Sequence, residues 1–195
     1  MRKVVLIFFV VSIITSCGIV RQSKEFKTLS RCEFRIYSID DISLAGIRIN
    51  DQKSMNDFDF GDFAKLTTSM ASGELPLKFD VNIQIRNPND AKAALNELEW
   101  ILLIDEEEIT RGDLKKRVEI NPQSTKTVPV KIDLNILDVL TGGSANALIN
   151  FAMNLNGQSD KASKVTLKVK PTIYIAGKAV AYTGWIEIDT GFSAD

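Results

Sequence analysis

Leu75-Pro76-Leu77-Lys78-Phe79-Asp80-Val81-Asn82-Ile83-Gln84-Ile85-Arg86, running straight into Asn87-Pro88-Asn89-Asp90, is the stretch that decides the fold. Six apolar residues alternate with proline and polar ones without a miss. That is the period of a strand with one face in a core and the other in water. Pro88 lacks a backbone donor and disfavours helix at Asn87, while Asn89 and Asp90 suit a turn, so the strand ends at a corner.

Working outward, the segment from Leu98 to Ile104 is apolar on both faces near its middle and passes through Asp105-Glu106-Glu107 into a short strand from Ile109 to Arg111-Gly112. This predicts a hairpin. Val118 and Ile120 mark another short strand, closed by Asn121-Pro122-Gln123-Ser124. Thr127 to Leu134 alternates again, with Pro129 on its outer face predicting an edge or a bulge. Val165 to Val169, Thr172 to Ile175, a turn at Ala176-Gly177-Lys178, and Trp185 to Ile188 return to strand patterning. Together with Phe34 to Ile49 this makes about seven or eight short strands, the pattern of a mostly β, two-sheet antiparallel sandwich.

Two stretches break the β period. Phe60, Phe63, Leu66, Thr67 and Met70 form a stripe that predicts a helix over Phe60 to Ala71, ending near Gly73. Asn135 to about Leu155 holds Leu137, Leu140, Leu148, Phe151, Ala152 and Leu155 at helical spacings, interrupted by Gly142-Gly143 and with Ser144 placed as an N-cap. A short turn and a helix are expected there. Both stretches are read as plugs for the open ends of the sandwich, with an apolar ligand groove as the alternative.

The N-terminus sets the compartment. Met1-Arg2-Lys3, an 11-residue apolar run from Val4 to Ile14, and Thr15-Ser16-Cys17 have the grammar of a secretory signal too short to stay as a membrane span. Ile14-Thr15-Ser16-Cys17 resembles the bacterial lipobox, with isoleucine in place of the usual leucine. The expectation is a signal peptide over 1–16, a diacylated and palmitoylated Cys17, a lipidated tether over 17–31, and a folded domain over 32–190. Acyl chains contributing about 0.8 kcal/mol per buried methylene make such an anchor effectively permanent. Gly18-Ile19-Val20-Arg21-Gln22 places no aspartate beside the cysteine, and the resemblance to known lipoprotein sorting patterns implies the outer membrane, facing the periplasm.

Composition excludes more than it suggests. The chain has 24 Lys plus Arg against 25 Asp plus Glu, and loss of Arg2 and Lys3 with the signal leaves 22 against 25. No basic patch argues for nucleic acid. Roughly 165 residues remain for folding once the signal and tether are set aside, enough for one domain, read as a monomer. With Cys17 acylated, Cys32 has no intrachain partner and is expected as a buried, inert thiol beside Phe34 and Ile36. The absence of histidine removes His-based triads and His metal sites, and no phosphate-binding or dinucleotide-binding loop occurs. Asp57, Asp59 and Asp62 resemble a calcium loop, but Gly61 and Thr68 stand where ligands are needed, so a solvated helix start is the stronger reading. The Asp105-Glu106-Glu107-Glu108 run reads as a solvated turn. No catalytic, cofactor-binding or metal-ligating residue is assigned, and no cofactor is expected.

The order of a long alternating strand ending in Asn87-Pro88-Asn89, the hairpin Trp100 to Ile104 with Ile109-Thr110-Arg111-Gly112, Ile120-Asn121-Pro122, and Thr127-Val128-Pro129-Val130 resembles the water stress and hypersensitive response (WHy) domain of the group 2 late embryogenesis abundant proteins. Ile175-Ala176-Gly177 and Gly184-Trp185-Ile186 fit its last two strands, so the resemblance covers roughly Phe34 to Ile188. It implies an immunoglobulin/fibronectin-III-like β-sandwich with one or two accessory helices, and a role in stress protection without catalytic residues. Asp51 to Gly73 is longer than the family pattern. The resemblance makes Asn87, Pro88 and Asn89 a structural corner. The combined expectation is a lipid-anchored, non-enzymatic envelope module that binds protein or lipid. The alternative is an accessory lipoprotein whose Phe60 to Met70 segment and Phe151 helix wall a hydrophobic ligand or partner site. A hydrolase would require two facing carboxylates.

Overall fold

The computed structural model describes residues 18–49, 59–155 and 163–192. Residues 18–29 are helical (α1), and β1 (Glu33–Leu44) and β2 (Ile47–Arg48) follow. After α2 (Phe60–Ala71) come β3 (Pro76–Asn87), β4 (Ala93–Leu95), β5 (Glu97–Ile104), β6 (Glu107–Leu114), β7 (Val118–Ile120) and β8 (Ser124–Asn135). Two short helices, α3 (Ile136–Thr141) and α4 (Ala145–Leu155), lead to β9 (Ser163–Ile175), β10 (Lys178–Ala181) and β11 (Ile186–Phe192).

The strands form a two-sheet antiparallel β-sandwich, as the alternation predicts. One sheet has the order β2-β1-β3-β8 and the other β10-β9-β5-β6, while β4 and β7 make a two-stranded clip. The decisive strand, β3, pairs with β8 from Pro76 opposite Asn135 to Asn87 opposite Ser124 without a slip. Its pairing with β1 shifts register between Ile36 and Ser38 and again between Asp40 and Ser43. β9 takes β5 along one edge; β11 and then β10 share the other.

The core follows from the period of 2. Val81, Ile83 and Ile85 of β3 and Val128, Val130 and Ile132 of β8 belong to one buried cluster with Leu98, Trp100, Leu102 and Ile104 of β5 and Val165, Leu167 and Val169 of β9. Each such side chain contributes about 1.5–3 kcal/mol when fully buried. Pro129 is exposed on β8, at the sheet edge, where a missing backbone donor breaks no ladder. Three connections are tight two-residue turns with positive φ at both positions: Ala45-Gly46, Asp105-Glu106 and Ala176-Gly177. That geometry matches the twist of a hairpin.

Four expectations need correction. The described residues hold eleven strands rather than seven or eight: Phe34 to Ile49 divides into β1 and β2, β4 and β10 lie outside the expected strands, and Val165 to Val169 and Thr172 to Ile175 run together as β9. The segment 18–29, expected as part of an irregular tether, is helical and packed: Leu29 is buried and Phe26 lies against the core. Its inner positions 22, 25, 26 and 29 have helical spacing, but Gln22 and Glu25 break the apolar signal. Helix α2 occupies the predicted residues but plugs nothing: none of its residues is buried, and Phe60 is 90% exposed. By contrast α3 and α4 do cover the core, through Val139, Ala147, Leu148 and Phe151. Finally, Cys32 is half-buried rather than fully buried.

Candidate functional site

The corner that ends β3 is held by one amide. Asn87 is fully buried, and its Nδ2 donates to the carbonyls of Ala91 (2.9 Å), Ile120 (3.2 Å) and Asn121 (3.0 Å). Its Oδ1 accepts from the backbone N–H of Asn89 at 3.1 Å and from Asn89 Nδ2 at 2.9 Å. Both ends of the amide are therefore used, tying the corner to the end of β7. Gln123 closes the outside by donating to Pro88 O (2.8 Å) and Asp90 Oδ1 (3.1 Å). These contacts match the structural reading of Asn87-Pro88-Asn89.

Asn89 extends the corner toward α1, since its Nδ2 also reaches Thr28 O at 3.4 Å, in the last turn of that helix. Further along α1, Glu25 is buried and accepts from Arg117 Nη2 at 2.8 Å, with Arg21 Nε at 3.6 Å on its other oxygen. Arg117 also donates to Glu119 Oε1 (3.1 Å) and to Asn96 Oδ1 (3.3 Å), and Lys92 holds Glu119 at 3.0 Å. The Glu25 hydrogen bond pushes the Arg117 guanidinium further up, against its partial burial; Lys92 first and Arg117 second hold the Glu119 carboxyl below its usual range. Phe26 meets Tyr182 edge to face, with ring centroids 6.3 Å apart. Gln22 Oε1 accepts from Ala176 N–H in the β9–β10 turn at 3.2 Å. Helix α1 is thus fastened at four successive points to the end of the sandwich that carries the Asn87 corner.

At the junction of α1 and β1, the Cys32 thiol donates to Thr28 O at 3.6 Å. Burial, and then the negative charge of Glu33, push its pKa from 9.0 up to about 11, so the reactive thiolate is suppressed at neutral pH.

Of the residues singled out in the sequence, Cys17 and Asp57 lie outside the described residues. Asp59 caps α2 by accepting from Asp62 N–H at 2.8 Å, and Asp62 pairs with Lys65 at 3.4 Å. Among the described residues no group of three His, Cys, Asp or Glu side chains could hold a metal ion. Phe60 and Met70 are exposed, and a surface depression of about 390 Å³ on α2 is lined by Ala45, Gly61, Ala64, Lys65, Thr68, Ser69 and Ser72. Phe151 instead packs against the core, so the two expected walls do not meet in that depression. The docking set Gln22, Glu25, Phe26 and Arg117 was not legible as a site. The only sequence signal was the spacing of Phe26 and Leu29.

The late embryogenesis abundant protein family model matches residues 82–183, from the middle of β3 to just beyond β10. The chain belongs to this family. In this late embryogenesis abundant chain the matched residues include the Asn87 corner, the β5–β6 hairpin and Arg117, while α1, β1 and α2 fall before them. It is similar to a protein from Archaeoglobus fulgidus known from a crystal structure: 15% identity, 62% of this chain and 86% of that one covered, and a TM-score of 0.39. It is also similar to a late embryogenesis abundant protein known from a solution structure: 12% identity, 97% of this chain and 85% of that one covered, and a TM-score of 0.38. No curated protein matches it in sequence.

Proposed function

We propose that this protein is a lipid-anchored, non-enzymatic envelope module of the WHy type, held through Cys17 at the outer membrane and facing the periplasm, where it protects or binds other envelope components. One observation carries the reading: Ile14-Thr15-Ser16-Cys17 closes an 11-residue apolar run behind Arg2-Lys3. Family membership supports a stress-related role, and the chain has no histidine, the side chain whose ordinary pKa lies nearest neutrality. Among the described residues no helix is long and apolar enough to cross a membrane.

The anchor is tested by Cys17→Ala in cells. The parent chain should fractionate with membranes and carry acyl mass on its N-terminal peptide; the variant should lose both. Unchanged fractionation of the variant would refute the anchor.

A second reading, an accessory lipoprotein that binds a hydrophobic ligand or partner, draws on the exposure of Phe60 and Met70 along α2. Fluorescence enhancement of an apolar dye by the folded protein, lost in Phe60→Ser and Met70→Ser, would favour it. Equal enhancement in all three proteins would remove α2 as the site.

A further inference from the structure

We propose that the end of the domain nearest Cys17 is a bilayer-contact face: Ile19 and Val20 enter the headgroup region, and Arg21, Lys24 and Lys178 lie against anionic headgroups. The proposal rests on the lipid-anchor reading and replaces a swinging tether with a fixed orientation.

Chain geometry makes the contact close. Ile19 and Val20 are two and three residues beyond Cys17, and a chain spans at most about 3.6 Å per residue, so an acylated Cys17 keeps both within about 11 Å of itself. Both are large apolar side chains left in water by the domain, 41% and 51% exposed. A lipid interface would cover them.

The contacts of α1 carry that proximity into the sandwich. Gln22 bonds the Ala176 N–H, which fixes the β9–β10 turn beside the second turn of the helix. Tyr174 and Lys178, both exposed, flank that turn. Glu25, Phe26 and Thr28 complete the fastening, so the helix and the hairpin tip present one surface.

Charge favours the same orientation. Arg21, Lys24 and Lys178 are exposed here, whereas the nearby acids are engaged: Glu25 by Arg117 and Arg21, and Glu97 by the Tyr174 hydroxyl at 2.6 Å. The acidic run Asp105 to Glu108 lies at the other end of β5, whose register runs from Glu97 opposite Thr172 to Ile104 opposite Val165. At about 3.3 Å per residue, that places it about 25 Å from the basic end. Arg111 pairs with Glu108 there, which leaves Asp105, Glu106 and Glu107 as the negative charge of that end, so an anionic bilayer attracts one end and repels the other.

The test uses the full chain, matured in cells, purified with its acyl groups and reconstituted into vesicles of phosphatidylethanolamine and phosphatidylglycerol. A nitroxide is placed by Lys178→Cys or by Glu106→Cys, each in a Cys32→Ser background, and its collision rates with oxygen and with a water-soluble nickel chelate are compared. The expected result is a several-fold higher oxygen-to-nickel ratio at 178 than at 106, reduced by Arg21→Glu with Lys24→Glu. Equal ratios on a chain whose N-terminal peptide carries acyl mass overturn the docked face and leave the anchor standing. A peptide without acyl mass overturns the anchor and the docked face together.

Discussion

The indole of Trp100 fills the space over Gly112, its partner on the neighbouring strand, so that a methyl carbon built on Gly112 would come within 2.8 Å of Trp100 Cε2. Trp100 is buried on β5, and its ring takes the place of the missing side chain. Gly112→Ala therefore forces a packed ring to move, at about 1–3 kcal/mol of stability by urea unfolding. The same substitution in a Trp100→Leu background should cost measurably less than in the parent chain, and strict additivity would show that the ring is not what excludes the methyl group.

Asn87→Ala removes the donor for three carbonyls at a fully buried position. The expected loss is about 2–3 kcal/mol, read as a lower melting temperature with the circular dichroism spectrum of the folded state retained. Asn89→Ala keeps those bonds and removes the Nδ2 donations to Asn87 Oδ1 and Thr28 O, while the Asn89 backbone N–H still satisfies Asn87 Oδ1, so its loss should be smaller, about 1 kcal/mol. A larger effect at Asn89 than at Asn87 would contradict the arrangement.

Arg117→Ala leaves the Glu25 carboxylate buried without its main cation. Because Arg117 is itself about one-third exposed, water can enter, and the expected cost is about 2 kcal/mol rather than the full penalty of a deeply buried pair. The loss should be local. Amide exchange should accelerate across residues 22–29, and trypsin should cut faster after Lys24 and Lys27, while Ile83 and Val130 keep their protection.

Stability should fall as pH rises from about 9 to about 11. In the unfolded chain the Cys32 thiol loses its proton near 9, in the folded chain near 11, so between those values the unfolded state binds fewer protons and is favoured by further increase in pH. Cys32→Ala should flatten that part of the pH profile measured by urea unfolding. At pH 8 the native thiol should react with iodoacetamide far more slowly than in the denatured chain.

Glu106 has a φ of +72° in the β5–β6 turn, which a side chain tolerates poorly. Glu106→Gly should raise stability by about 1 kcal/mol, since glycine suits the second position of this hairpin turn. A drop in melting temperature would mean that Glu106 makes a stabilising contact that outweighs its backbone conformation.

Most of the sandwich could be read from the sequence because β3, β8 and much of β9 alternate with a period of 2 and end at or beside Pro, Asn or Gly, while β5 shows as a short apolar run bounded by the acidic turn. The corner was legible for the same reason: Asn87-Pro88-Asn89 interrupts a strong alternation. What was hidden depends on pairs far apart in the chain. Glu25 and Arg117 are 92 residues apart, and nothing local marks either as a docking residue. Helix α2 shows the converse failure. The stripe of Phe60, Phe63 and Met70 identifies a helix correctly, but periodicity says nothing about whether a core lies within reach of it.

The fastening of α1 also determines how the protein bears load. A pull on residue 18 is not delivered to the sheets at once, because Gln22, Glu25, Phe26 and Thr28 each hold a different part of the sandwich and must be released in turn as the helix peels. Glu33, the first residue of β1, feels the force only after those four, and it then meets a strand in which nine of twelve residues pair with β3. Pulled from residue 18, the N-terminal helix acts as a mechanical fuse that yields before the sheets and lengthens while the core stays folded.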